Sequence, residues 1–121
     1  MKLLFDTNIL IDYLNGVEAA QAEIDGQSKR LISIVTWMEM LAGARNDEEE
    51  DVIEMFLREF RVIDISRPIA REAVALRKER RLRLPDAIIW ATANHESALL
   101  VTRNTKDFPR NHPGVRVPYE A

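Results

Sequence analysis

Five short, nearly unbroken apolar runs punctuate this chain, at residues 3–5, 31–35, 62–65, 98–102 and 115–117. A run without polar alternation predicts a strand buried on both faces. Between the runs, apolar residues recur every three or four positions. Ile9, Leu10, Tyr13 and Leu14 mark a helix over 7–15 that Asn15-Gly16 stops, and Gly26 closes another over 18–25. Further helices are predicted over 36–44, over 48–60 with Val52, Ile53, Phe56 and Leu57 on one face, and over 85–94 behind Pro85. Ser66 caps one more, with Pro68 in its first turn, running to about residue 81. Thr36-Trp37-Met38-Glu39 has the form of a capping box, in which Glu39 reaches back to the Thr36 amide. Strands alternating with helices imply an α/β fold whose parallel sheet is covered on both faces.

Composition narrows the chemistry. The 121 residues suit one domain over 1–121, with no repeat and no low-complexity segment. There is no cysteine, so disulfides, thiolate catalysis and cysteine-held zinc or iron–sulfur centres are excluded. Asp6 and Asp12 interrupt the apolar start and no small-residue cleavage site follows, so no leader is expected. No apolar run approaches the ~18 residues that cross a bilayer. A soluble cytoplasmic protein is the expectation.

The net charge of −3 argues against a surface built to coat nucleic acid. Locally, 47–51 is wholly acidic and 77–83 carries five basic residues in seven, both read as solvated helix faces. Arg103, Lys106, Arg110, His112 and Arg116 add positive charge near the end of the sequence. His95 and His112 lack metal-ligand spacing and read as surface or packing residues. Trp37, Met38, Met40, Phe56 and Trp90 read as core or interface.

The acids carry the functional signal. Ligands of open parallel sheets bind beyond the carboxyl ends of the strands. Asp6 ends the first run, Glu39 follows the second by one helical turn, and Asp107 lies five residues after Thr102. Asp86 falls in the first turn of the helix that precedes the run leading to Asp107. Each has a local explanation as well: an N-cap for Asp6, the capping box for Glu39, a helix-dipole partner for Asp86 and a turn for Asp107. Together they would crowd one rim of the sheet. Two bare carboxylates about 4 Å apart repel by about 4 kcal/mol at an effective dielectric of ~20. Such a cluster calls for bound protons or a cation, and hard oxygen ligands without cysteine select magnesium or manganese over zinc.

The segments Leu4-Phe5-Asp6-Thr7-Asn8-Ile9-Leu10, Thr36-x-x-Glu39, Leu84-Pro85-Asp86-Ala87 and Thr102-Arg103-Asn104-x-x-Asp107-Phe108 resemble the PIN-domain ribonucleases. Among these they look most like the VapC toxins of toxin–antitoxin pairs. The resemblance implies a three-layer α/β/α sandwich. It also implies an Mg2+- or Mn2+-dependent endoribonuclease that hydrolyses a structured RNA, such as tRNA or rRNA, and so inhibits translation. Asp6, Glu39, Asp86 and Asp107 match the family's four metal-binding and catalytic positions, with Asp6 and Asp107 expected as the most direct ligands. Thr7, Asn8, Thr102 and Asn104 would be polar support, and Arg103, Lys106 and Arg110 are candidates to hold RNA. A homodimer is implied, silenced by a cognate VapB-type antitoxin whose C-terminal segment wraps a groove. The alternative is an inactive PIN fold that only binds. An aspartyl-nucleophile phosphatase would need Asp where Asn8 stands. A phosphoreceiver would need a second acid beside Asp6 and an earlier one than Asp64.

Overall fold

The computed structural model describes residues 1–120. Its elements follow in the order β1 (Leu3–Phe5), α1 (Thr7–Leu14), α2 (Glu18–Asp25), β2 (Arg30–Ser33), α3 (Ile34–Ala42), α4 (Asp47–Leu57), β3 (Arg61–Ile63), α5 (Arg67–Arg80), α6 (Leu84–His95), β4 (Leu99–Val101) and β5 (Val115–Arg116). The strands form one sheet in the order β3-β2-β1-β4-β5, every neighbouring pair parallel.

Helices cover both faces, and the two-residue period of the strands assigns each side chain to one of them. Leu4, Leu31 and Leu100 pack with Ile69 and Ala73 of α5 and with Ala87, Ile89 and Trp90 of α6. Leu3, Phe5, Ile32 and Val101 face the other way, into a cluster with Ile9 and Leu10 of α1, Ile24 of α2, Met40 of α3, and Ile53 and Leu57 of α4. The three-layer α/β/α sandwich expected from the sequence is therefore the fold.

Local capping decides where helices begin. Ser66 accepts a hydrogen bond from the Ile69 amide at 3.3 Å and starts α5 as expected. Asn46 does the same for α4 through the Glu49 amide at 2.8 Å. Asp47, Glu48, Glu49 and Glu50 then occupy the first turn of α4, so the acidic run complements that helix's dipole.

The structure corrects one boundary that bears on the site. The run at 31–35 does not continue as strand: β2 stops at Ser33, whose hydroxyl accepts the Val35 amide at 3.0 Å and caps a helix beginning at Ile34. A side-chain cap thus outweighs the strand preference of Ile34 and Val35. Thr36 lies fully buried inside α3, so the Thr36–Glu39 capping box does not form. The third run shifts in the same manner, since β3 ends at Ile63 and leaves Asp64 and Ile65 exposed.

The chain leaves central β1 to build β2 and β3 on one side, then returns to build β4 and β5 on the other. The switch in direction lies between β1 and β4, where open parallel sheets part their loops to receive a ligand.

Candidate active site

Asp6 is the first residue beyond β1 and the N-cap of α1. Its Oδ1 accepts the Thr7 amide at 2.8 Å. Its Oδ2 accepts the Thr102 hydroxyl at 2.8 Å and the Asn8 amide group at 3.1 Å. The Asp6 amide donates to the Val101 carbonyl at 2.9 Å, continuing the β1–β4 ladder by one step. The helix-capping reading of Asp6 is therefore correct, and it occupies one carboxylate oxygen while the other is held by Thr102 and Asn8.

The other three acids have their own donors. Glu39, exposed on α3, accepts the Thr7 hydroxyl at 2.7 Å, and Thr7 in turn lies 3.0 Å from the Thr36 hydroxyl. Asp86, buried in the first turn of α6, accepts from Arg83 Nε at 3.2 Å. Asp107 accepts the Asn104 side-chain amide at 3.0 Å, and its own amide donates to Asn104 Oδ1 at 3.3 Å. Phe108, fully buried edge-on to Trp90, anchors the end of that loop.

Two of the four carboxyls, Asp6 and Asp86, are held above their ordinary range. Burial pushes the Asp6 carboxyl up to about 6, against the pull of its Thr102 and Thr7 hydrogen bonds, and the charges of Asp86 and Glu39 raise it further. Asp86 is also raised, first by burial and against the pull of Arg83, with Asp107 and Glu39 adding to the rise. Among the described residues, no three His, Cys, Asp or Glu side chains are grouped closely enough to hold one metal ion between them. Each of the four acids is held by a different donor. Mutual repulsion favours this spreading of partners over the tight crowding that the sequence suggested.

The polar residues flanking the acids are drawn into the same network: Asn8 also donates to the Thr102 hydroxyl at 3.2 Å, and that hydroxyl accepts the Asn104 amide at 3.0 Å. Two of the three basic candidates are engaged elsewhere. Arg103 makes a two-pronged pair with Asp12 at 2.6 and 3.1 Å, and Arg110 pairs with Glu120 at 2.6 Å. Lys106 is exposed. His112 packs edge-on to Trp90 and accepts the Gly114 amide at 2.9 Å, while His95 sits 3.5 Å from Glu72, so both are packing or surface residues.

Sequence reasoning passed over three participants. Asp12 accepts from Arg103 and, at 2.8 Å, from the Tyr119 hydroxyl, and so ties the Asp107 loop and Tyr119 to α1. The signal for it was a lone acid on an otherwise apolar helical stretch. Thr36 supports Thr7 from inside α3, and Arg83 meets Asp86 three residues on.

A three-layer sandwich with acids around the β1–β4 switch defines a class of α/β proteins with an acidic centre at the carboxyl ends of a parallel sheet. The comparisons make the class specific: residues 3–112 match the family described as PIN domain. Ribonuclease VapC10 of Mycobacterium tuberculosis is 35% identical over 117 residues, spanning 88% of this chain and 86% of its own. Ribonuclease VapC1 of Methanocaldococcus jannaschii is 30% identical over 114 residues, spanning 90% and 80%. A chain in a toxin–antitoxin complex from Klebsiella pneumoniae is 47% identical and superimposes with a TM-score of 0.92, covering 99% of this chain and 100% of that one. This chain belongs to the PIN-domain family, in its VapC group.

Proposed function

We propose that this chain is a divalent-metal-dependent endoribonuclease and the toxin of a toxin–antitoxin pair. The observation that supports the reading is the hydrogen-bond network at the β1–β4 switch of a PIN fold, in which Thr7 joins Asp6 to Glu39 and Thr102 joins Asp6, through Asn104, to Asp107. The donor set, four carboxylates without sulfur, fits Mg2+ or Mn2+. All four acids are assigned to the metal, Asp6 and Asp107 as the most direct ligands. When bound, the ion neutralises the acids, which would otherwise repel an anionic phosphodiester, and supplies positive charge where the reaction builds negative charge.

The protein's own groups do the positioning. Thr102, Asn8 and the Thr7 amide fix both oxygens of Asp6, so this carboxylate is oriented before any ligand arrives. Asn104 does the same for Asp107. Glu39 stands at the solvent edge with Thr7 on Oε1 only, which leaves Oε2 to orient the attacking water and take its proton. Water adds to phosphorus as the P–O3′ bond breaks and the departing O3′ takes a proton from solvent, giving a 5′-phosphate and a 3′-hydroxyl with no role for the RNA 2′-hydroxyl.

The substrate is assigned as a structured RNA such as tRNA or rRNA, whose cleavage inhibits translation. A cleft of about 460 Å³, lined by Ile11, Leu14, Met40, Val52 and Ile53, runs to Glu39. It suits an apolar segment of a VapB-type antitoxin reaching the acidic centre, in keeping with a relative solved within a toxin–antitoxin complex. Exposed Met38 offers further apolar surface for a homodimer. A cytoplasmic site of action, in a single domain over 1–121, completes the assignment; no described helix is long and apolar enough to cross a membrane.

The test is cleavage of total tRNA and rRNA by the purified chain with Mg2+, with EDTA, and with Asp6→Asn. Cleavage that requires the metal and leaves 5′-phosphate ends is expected. Absence of metal-dependent cleavage together with tight RNA binding would instead identify an inactive binding module.

A further inference from the structure

Arg83 is the residue that precedes α6. Its backbone carbonyl accepts the Ala87 amide at 3.0 Å, but its side chain makes no capping bond. The side chain is therefore free of any duty to the helix, and it is 77% exposed. Its Nε nevertheless lies 3.2 Å from Oδ2 of Asp86, a carboxylate only 9% exposed. The charge of Asp86 and its hydrogen bond hold the Arg83 guanidinium above its usual range, with the charges of Asp107 and Glu39 adding to the rise. Among the described residues no other lysine, arginine or histidine makes an ion pair with any of the four.

We propose that Arg83 is a built-in counter-ion of the acidic quartet, which holds Asp86 until a divalent cation takes that carboxylate and then turns to an RNA phosphate oxygen at the rim of the site. The proposal rests on the reading of the quartet as a metal site.

The physical case is competition for one carboxylate. Asp86 Oδ2 receives its charge-assisted hydrogen bond from Arg83, and a cation drawing on the same oxygen weakens that bond. An arginine freed from its carboxylate retains its charge, since guanidinium does not lose its proton in proteins. Its planar fork matches a phosphate as well as it matches a carboxylate. Because the side chain is long, exposed and bound at one point, turning outward breaks a single hydrogen bond. Arg83 would thus lower the affinity for metal in the empty site and raise the affinity for RNA in the loaded one. This also supplies the RNA contact that Arg103 and Arg110, committed to Asp12 and Glu120, do not offer.

The experiment compares the full chain with Arg83→Gln and Arg83→Lys. Mn2+ binding is measured by titration calorimetry without RNA, and KM is measured for a defined oligonucleotide substrate in saturating Mg2+. Exposed ion pairs shift equilibria by no more than about five-fold, so Arg83→Gln should bind Mn2+ about three- to five-fold more tightly. Its KM should rise by about ten-fold, on the scale of one charge-assisted phosphate contact, and Arg83→Lys should recover part of both effects. Unchanged Mn2+ affinity in Arg83→Gln, with normal binding by the parent, overturns the counter-ion role alone. An unchanged KM overturns the phosphate role. No Mn2+ binding by the parent removes the metal-site reading and this inference with it. The metal-free melting temperature of Arg83→Gln should fall only by the few degrees that one exposed ion pair is worth, and an unchanged far-UV circular dichroism spectrum separates these effects from misfolding.

Discussion

The Thr102 hydroxyl donates a 2.8 Å hydrogen bond to Oδ2 of Asp6 across 96 positions of sequence. The parallel pairing of Phe5 with Val101 sets this up, since Asp6 and Thr102 are the next residue on each strand. The same hydroxyl receives the Asn8 side-chain amide and the Asn104 backbone amide. One fully buried oxygen therefore joins the start of α1 to the loop that carries Asp107.

Thr102→Val keeps the shape and removes that junction. It leaves the Asn104 amide and a charged Asp6 oxygen short of partners, at a cost of about 1–3 kcal/mol in urea unfolding. Cleavage should fall as well, because both Asp6 and the Asp107 loop lose orientation. Thr102→Ser should restore most of the stability; failure to do so would mean that the lost methyl packing, rather than the hydroxyl, mattered.

Asp6→Asn separates catalysis from folding. The buried Asp6 carboxyl is raised from 3.8 to about 6, so holding it ionised at neutral pH opposes folding. Asparagine keeps an acceptor for the Thr7 amide and removes that cost. The metal-free variant should gain about 1–2 kcal/mol of stability, while cleavage disappears. A variant that cleaves normally would reduce Asp6 to a helix cap.

The pH dependence of stability should have two opposing limbs. The raised Asp6 and Asp86 carboxyls bind protons more readily in the folded chain than in the unfolded one, so metal-free stability rises as pH falls from 7 toward 4. Asp12 behaves oppositely: the hydrogen bond from Arg103 holds its carboxyl below the usual range, against the effect of burial, with Tyr119 and the Arg103 charge helping. Its contribution is complete above the ordinary carboxylate range and is lost as pH falls through its lowered value. Melting curves across pH 3–8 should therefore show a maximum in mildly acid solution. Asp6→Asn should flatten the neutral limb, and Asp12→Asn should flatten part of the acid limb.

Glu39→Gln tests the one acid whose local explanation the structure removes. Glutamine can still accept the Thr7 hydroxyl, and no capping box exists to be lost. The melting temperature should change little, whereas cleavage should drop by about 10–100-fold, the usual cost of disturbing a metal centre's ligand shell. Near-normal turnover would take Glu39 out of the chemistry.

Burial periodicity is a local property, and it marked out the strands, the helices and the parallel sheet before any coordinates. The rim position of Asp6 and Asp107 followed from the same order, because each sits just past a strand. Element ends were less visible: Ile34 and Val35 are as apolar as the strand before them, and only the Ser33 hydroxyl bound to the Val35 amide shows that a helix has begun.

Tertiary structure alone decided which polar groups meet. Arg103 is adjacent to Thr102 and looks free to bind phosphate, yet its guanidinium turns to Asp12, 91 residues earlier. Arg83 looks like one charge in a basic run, yet it reaches a buried acid on the next helix. Such pairings depend on strand register, helix placement and the direction of each side chain, and a hydrogen bond tolerates only a few tenths of an ångström of error in their combination. Sequence determined that Asp6 and Asp107 would lie just past strands of a parallel sheet, because burying apolar strands needs only the right residue types in the right order. The donor that holds each acid was settled by distances between segments remote in the chain.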